Sequence, residues 1–389
     1  MKYLKITLFF IFISSLYANN NFASNETCKG CHPTIYGEFY NSAHRKSSIY
    51  EDKIHQALWK KHPNYKVKKY DCNECHTPSD TRIDNALKNN QNAIPHNDNI
   101  QTNEAISCLY CHSIRNIQEH ANPYNKTVIN DNLNKKRPML YAANTENKGK
   151  KILYKEEKSF FGMFKKTSGS PFHDIDYSNE NFYNANMCMG CHSHFANTHG
   201  QYSCKIDKNN IKGKSTNCIS CHMPQVKGSA TTIKITKQHT FHGFAGSRNK
   251  PEMLAKYIDL DLNKTSSGFS LTLKNNAPHN LMLHPLRVVV LNIKVNSLKL
   301  EPVLFMRIMG DNNKPTLPWD ATQIIKNNMP KAFQSTILDY TKKLKKGDNV
   351  EVKLQYYLVN PKMLKKLNLQ DVKEAKELKL LKVKYFTIK

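Results

Sequence analysis

Long apolar runs are scarce in this chain. The only candidate, 6–17, is about a dozen residues, short of the roughly 18–20 that a membrane-spanning helix needs. Lys2 and Lys5 precede it and the small residue Ala18 follows, so 1–18 reads as a cleaved secretory signal and the mature chain is expected to begin near Asn19. With no other spanning stretch, the mature protein is expected to be periplasmic, either soluble or peripherally attached. Acidic residues are also few, 31 against 58 Lys and Arg, for a formal net charge of +27. Outside the cytoplasm such an excess suits acidic protein partners or anionic lipid headgroups, and gives no reason to expect nucleic acid. A third shortage concerns periodic hydrophobic patterning, which is nearly missing before residue 230. There Asn, Lys, His and Tyr dominate, and such a segment cannot bury an ordinary apolar core.

Cysteine, by contrast, is abundant. Ten of the eleven cysteines fall into five copies of Cys-x-x-Cys-His: Cys28-Cys31-His32, Cys72-Cys75-His76, Cys108-Cys111-His112, Cys188-Cys191-His192 and Cys218-Cys221-His222. Two thiols at this spacing can each add to one vinyl group of a single porphyrin, while the next residue offers its imidazole to the iron. Zinc would need a second ligand pair per site, and a redox-active dithiol has no use for a histidine in every copy. The expected cofactors are therefore five covalently bound c-type haems. Their propionates would offset part of the positive charge.

Removing the five motif residues from the seventeen histidines leaves His44, His55, His62, His96, His120, His173, His194, His199, His239, His242, His279 and His284. That surplus suffices for a second imidazole on every iron, which favours low potentials over the higher ones that methionine ligation gives. Cys204 is the unpaired thiol. Its readings are a buried inert group, an iron or sulfur-handling thiolate, or an intermolecular disulfide. His279 and His284, in Pro278-His-Asn-Leu-Met-Leu-His-Pro285, read as ordinary strand-end histidines, with contact to a haem as the alternative.

The 389 residues exceed what one core usually holds, and the pattern changes near 230. Beyond it, 231–236, 269–273, 286–295, 303–309, 350–359 and 380–388 read as strands, with helices over 252–258 and 361–378. Lys346-Gly347-Asp348-Asn349 supplies a turn just before one of these strands. Before 230, short helices are expected at 33–48 and 53–61, and 113–187 reads as an excursion or partner loop. The fold class is thus α+β: a multihaem domain over 19–230 with short helices and little regular structure, then a haem-free, β-sandwich-like domain over 231–389.

The stretch C-K-G-C-H-P-T-I-Y-G-E-F-Y-N-S-A-H, from Cys28 to His44, resembles the opening of cytochromes related to the tetrahaem electron acceptor of hydroxylamine oxidoreductase. In that group a Ser-x-His supplies a distal ligand to a neighbouring haem, and Ser42-Ala43-His44 matches it, which implies that role for His44. Ser170-Pro-Phe-His173 and His239-Thr-Phe-His-Gly243 also look like segments of multihaem cytochromes, implying His173 and His239 as further distal ligands. The pentahaem nitrite reductases share the haem count but carry a Lys-ended motif at the active haem, whereas every motif here ends in His. The resulting expectation is electron relay between redox partners, such as a membrane quinol oxidase and a periplasmic reductase. Two alternatives stay open: an oxidoreductase acting on a small nitrogen or sulfur compound or peroxide at one open haem, and a haem-bearing scaffold whose β domain docks another protein.

Overall fold

The computed structural model describes residues 22–97, 104–118, 126–130, 133, 135–159, 164–192, 196–203, 206 and 217–389. The 1–18 segment, His120, His194 and Cys204 lie outside the described residues. Among the described residues no helix is long and apolar enough to cross a membrane.

The fold is α+β, with short helices first and a sandwich after them. The strands Val288–Val295 and Asn349–Tyr357 run antiparallel, Leu291 opposite Leu354, and Val303–Asp311 and Lys379–Thr387 flank them. On Asn349–Tyr357 the residues Val350, Val352, Leu354 and Tyr356 point inward and are buried, the period-two alternation of a sheet with one covered face. The cover is a three-stranded sheet of Ile258–Lys264, Phe269–Asn275 and Ser335–Tyr340, whose Leu260, Phe269, Leu271 and Leu273 are fully buried in the same cluster. Gly347 adopts φ +88°, as the turn before Asn349 requires.

The structure departs from the sequence expectations at three places in this half. Residues 231–236 form no strand. Their β-branched residues run along the first motif, where the Thr232 N–H donates to the Cys31 carbonyl, and Ile233 and Ile235 stay exposed. The chain remains among the motifs until Tyr257, and the first sandwich strand starts at Ile258. The helix expected over 361–378 breaks into Pro361–Met363, Leu364–Leu367 and Lys373–Lys376, because Asn368 turns left-handed at φ +56°.

Among the described residues the first half has two small apolar clusters, one around Phe22, Tyr110 and Ile117 and another around Trp59, Tyr70 and Ile83. Its centre is instead a continuous cavity of about 3360 Å³. The helix Lys53–Trp59 joins the two halves. Ile54 and Ala57 on one face belong to the sandwich core, while His55 turns toward the second motif. Asp52 caps this helix through the Ile54 and His55 N–H groups, and Arg248 holds the same carboxylate through two contacts of 3.0 Å.

Candidate haem-binding site

Each motif is a single tight turn. In the first and second, the histidine N–H donates to the carbonyl of the leading cysteine at 2.9 Å. In the third, the Ser107 side chain caps Cys108–Ser113, and in the fifth Asn217 and Ser220 form a capping box on Cys218–His222. Helices this short do not hold themselves together in water; they are fixed by caps and by the walls they form.

The fit to covalent haem rests on what these turns line. All ten motif cysteines and all five motif histidines border the one cavity, whose volume is several times the roughly 300–1,000 Å³ of a single-ligand pocket. Among the described residues no group of three or more His, Cys, Asp or Glu side chains converges as a bare metal ion would need. Four motif imidazoles are oriented through Nδ1 by a backbone carbonyl: His32 by Ala230 at 2.8 Å, His76 by Ser47 at 3.4 Å, His112 by Tyr141 at 2.7 Å and His222 by Ala245. This leaves Nε2 as the nitrogen available to a metal, the usual arrangement for a ligating histidine.

A second imidazole faces four of the five. His173 stands 6.3 Å from His32 between ring centroids, His242 6.2 Å from His112, His279 6.1 Å from His222 and His44 5.9 Å from His192. Two imidazoles bound to one metal at about 2 Å each would have centroids roughly 6 Å apart, so each gap is the right width for an iron. The first three pairs are near parallel, at 30°, 22° and 21°, whereas His44 and His192 cross at 83°. Burial pushes His44 down to about 3 and His192 and His242 down to about 4, and lowers His112, His173, His222 and His279 as well. These rings are therefore neutral at physiological pH and keep a lone pair for a metal.

The second motif differs. The imidazole against His76 is His55, stacked at 3.8 Å and 4°, too close to admit an atom between the rings. The His55 Nε2 is engaged with the Tyr70 hydroxyl at 2.8 Å.

Of the three histidines singled out beyond the motifs, His44 and His173 each face a motif histidine. His239 does not. Its Nδ1 meets the Gly228 carbonyl at 3.0 Å and its Nε2 meets Glu38 at 2.9 Å, so neither nitrogen is left for iron. His242, three residues on, takes the place expected for it. The pattern His-Thr-Phe-His holds both residues and carries nothing to choose between them. His279, read as a strand-end residue, stands across from a motif histidine because the loop after Phe269–Asn275 folds back over the cavity. Contact with a haem is the alternative reading of its 278–285 segment, and the position across from His222 favours that alternative.

Thiol contacts order the motifs in space. All ten motif thiols are free; Cys28 lies beside Cys108, Cys75 beside Cys191 and Cys188 beside Cys218, and Cys111 lies near Cys188. The first motif therefore adjoins the third, and the fourth adjoins the second, third and fifth.

Residues 27–113 match the family described as "Cytochrome c554 and c-prime". Over the whole chain the fold is similar to that of a penta-haem cytochrome c552 from Thermochromatium tepidum, with a TM-score of 0.69, 20% identity, and coverage of 95% of this chain and 99% of that one. No curated protein matches the sequence.

Proposed function

We propose that the chain is an exported c-type cytochrome carrying five haems, and that it relays electrons between protein partners outside the cytoplasm. The observation that carries this reading is the set of four facing imidazole pairs opening onto one cavity lined by all five motifs. The family match over 27–113 and the likeness to a penta-haem cytochrome support it. The assigned axial pairs are His32 with His173, His112 with His242, His192 with His44 and His222 with His279; His76 is the proximal ligand of the second site. His239 is withdrawn from the distal set. Bound haems would supply reversible one-electron chemistry, and the four facing pairs would hold four of the irons between two imidazoles, which favours low potential and would leave those four closed to substrates.

The thiol contacts support a branched relay with the fourth site as junction and the first, second and fifth as ends. Its basic surface would steer acidic partners, with a membrane quinol oxidase or similar donor and a periplasmic reductase as the candidate classes. Intact mass spectrometry of the secreted protein tests the cofactor count: five haems and a chain starting near Asn19 are expected, and fewer haems would defeat the count. Stopped-flow reduction by a donor protein should slow as salt rises, because screening shortens the attraction to about 8 Å at physiological ionic strength.

One observation favours a second reading. The ring against His76 is too close for an iron between them, so the second site is the candidate for a small nitrogen or sulfur compound or peroxide. Carbon monoxide bound by one haem of the reduced protein, together with sustained turnover of such a compound, would establish that reading. Absence of carbon monoxide binding would exclude it.

A further inference from the structure

Glu38 lies on the helix Pro33–Tyr40, which begins immediately after the first motif. Its two carboxylate oxygens perform different tasks. Oε1 meets His239 Nε2 at 2.9 Å, and Oε2 accepts the backbone N–H of His242 at 2.8 Å. The His239 side chain is 1% exposed and that of Glu38 18%, so the pair is largely screened from water. On its other side His239 meets the Gly228 carbonyl, and Gly228 sits at φ +121°, where an added Cβ would stand 3.4 Å from the His239 ring. A side chain there would be strained as well as crowded.

The same segment sets one motif histidine, His32, and the imidazole that faces another, His242 opposite His112. Ala230 orients His32, and the strand Gln238–Thr240 pairs with Gln225–Lys227 and leads directly into His242. The His242 ring is set by the Thr240 carbonyl on Nδ1 at 2.6 Å, and its backbone is set by Glu38. One carboxylate from the first motif's helix thus pins the stretch that presents an imidazole to the third motif.

We infer that Glu38 is a positioning residue for His242: it acts through the His242 backbone and through His239 to hold the imidazole across from His112, and so couples the packing of the first site to the axial ligation of the third. Groups one shell out from a metal ligand commonly control its orientation and affinity in this way. The inference rests on the reading of His112 and His242 as an axial pair.

The test uses secreted holoprotein and electron paramagnetic resonance with optical spectra. His242→Ala should convert one haem from low to high spin, which tests the axial pair by itself. Glu38→Ala should perturb the same haem, with a high-spin fraction or an altered low-spin signal, while the other haems keep their wild-type signals. Glu38→Gln keeps an oxygen acceptor for the His242 N–H and should restore the wild-type signal, an outcome that a general loss of packing would not give. If Glu38→Ala does not yield protein with its full haem complement, Glu38→Asp, whose shorter arm cannot reach both partners, should show the same single-haem change. A His242→Ala effect with wild-type spectra in Glu38→Ala, or in Glu38→Asp where that variant replaces it, overturns the role of Glu38 and leaves the axial pair standing. Unchanged spectra in His242→Ala overturn the axial pair itself.

Discussion

His279, on the loop that follows the strand Phe269–Asn275, faces His222 of the fifth motif across 6.1 Å with the two rings 21° apart. The sandwich therefore reaches into the cavity with an imidazole. His279→Ala is expected to convert one haem to high spin and to leave the rest low spin, read by paramagnetic resonance. Unchanged spectra would show that the fifth site takes its second ligand elsewhere.

Asn275 sets that loop. Fully buried, its Nδ2 donates to the carbonyls of His279, Pro330 and Lys331, and its Oδ1 accepts the Ala277 N–H. Asn275→Ala removes these partners from buried groups, at an expected cost of about 1–3 kcal/mol per group left unsatisfied and without water access. A lower denaturant midpoint with loosened ligation of the same haem that His279→Ala affects is the expected result. A wild-type midpoint would contradict it.

The crossed planes of His44 and His192, at 83° against 21–30° for the other three pairs, predict one spectroscopically distinct haem. Axial plane orientation sets the splitting of the iron d orbitals in a low-spin haem, so one low-spin component should show a larger principal g value than the rest. His44→Ala should remove that component and no other.

His284 gives a pH dependence of stability. It is buried and pushed down to about 3, first by burial and then by the neighbouring Arg287 and Arg248, and its Nδ1 accepts the Leu286 N–H. The folded state keeps this ring neutral while an unfolded chain protonates it near 6.5. Between these values the unfolded state binds the extra proton, so this contribution is complete above about pH 6.5 and is lost progressively down to about pH 3. His284→Gln should flatten the fall in the unfolding midpoint over that window; an identical slope would exclude His284 as its source.

Arg248 ties Asp52 from its two terminal guanidinium nitrogens, Nη1 and Nη2, at 3.0 Å each, with side-chain exposures of 20% and 11%. Lysine offers a point charge in place of the planar fork, so Arg248→Lys should weaken the anchoring of the helix Lys53–Trp59, which Asp52 caps, less than Arg248→Ala, which leaves a largely buried carboxylate without its counter-charge at an expected cost of up to about 3–5 kcal/mol. Thermal unfolding followed both at the haems and by far-ultraviolet circular dichroism checks the order of the two variants.

Local chemistry wrote much of this protein directly into its sequence. The chemistry of haem attachment calls for two thiols and an imidazole within five consecutive residues, so Cys28 to His32 and its four counterparts could each be picked out as a candidate from sequence alone, and all five line one cavity. The alternation at Val350, Val352, Leu354 and Tyr356 announced a sheet with one buried face, and Gly347 announced the turn before it. The facing imidazoles follow another logic. His112 meets His242, and His222 meets His279, across separations in sequence that no spacing rule spans, because a distal partner needs only to arrive at about 6 Å from any direction. His239 and His242 share one short pattern, and only the packing of Glu38 and Gly228 around the first assigns it to a clamp and leaves the second to face the cavity. The order of the motifs in space likewise comes from contacts such as Cys75 with Cys191, which form when distant turns are folded against one another. Sequence determined the five Cys-x-x-Cys-His motifs because they are local; tertiary structure decided which imidazoles face them and their order because those depend on where the rest of the chain packs.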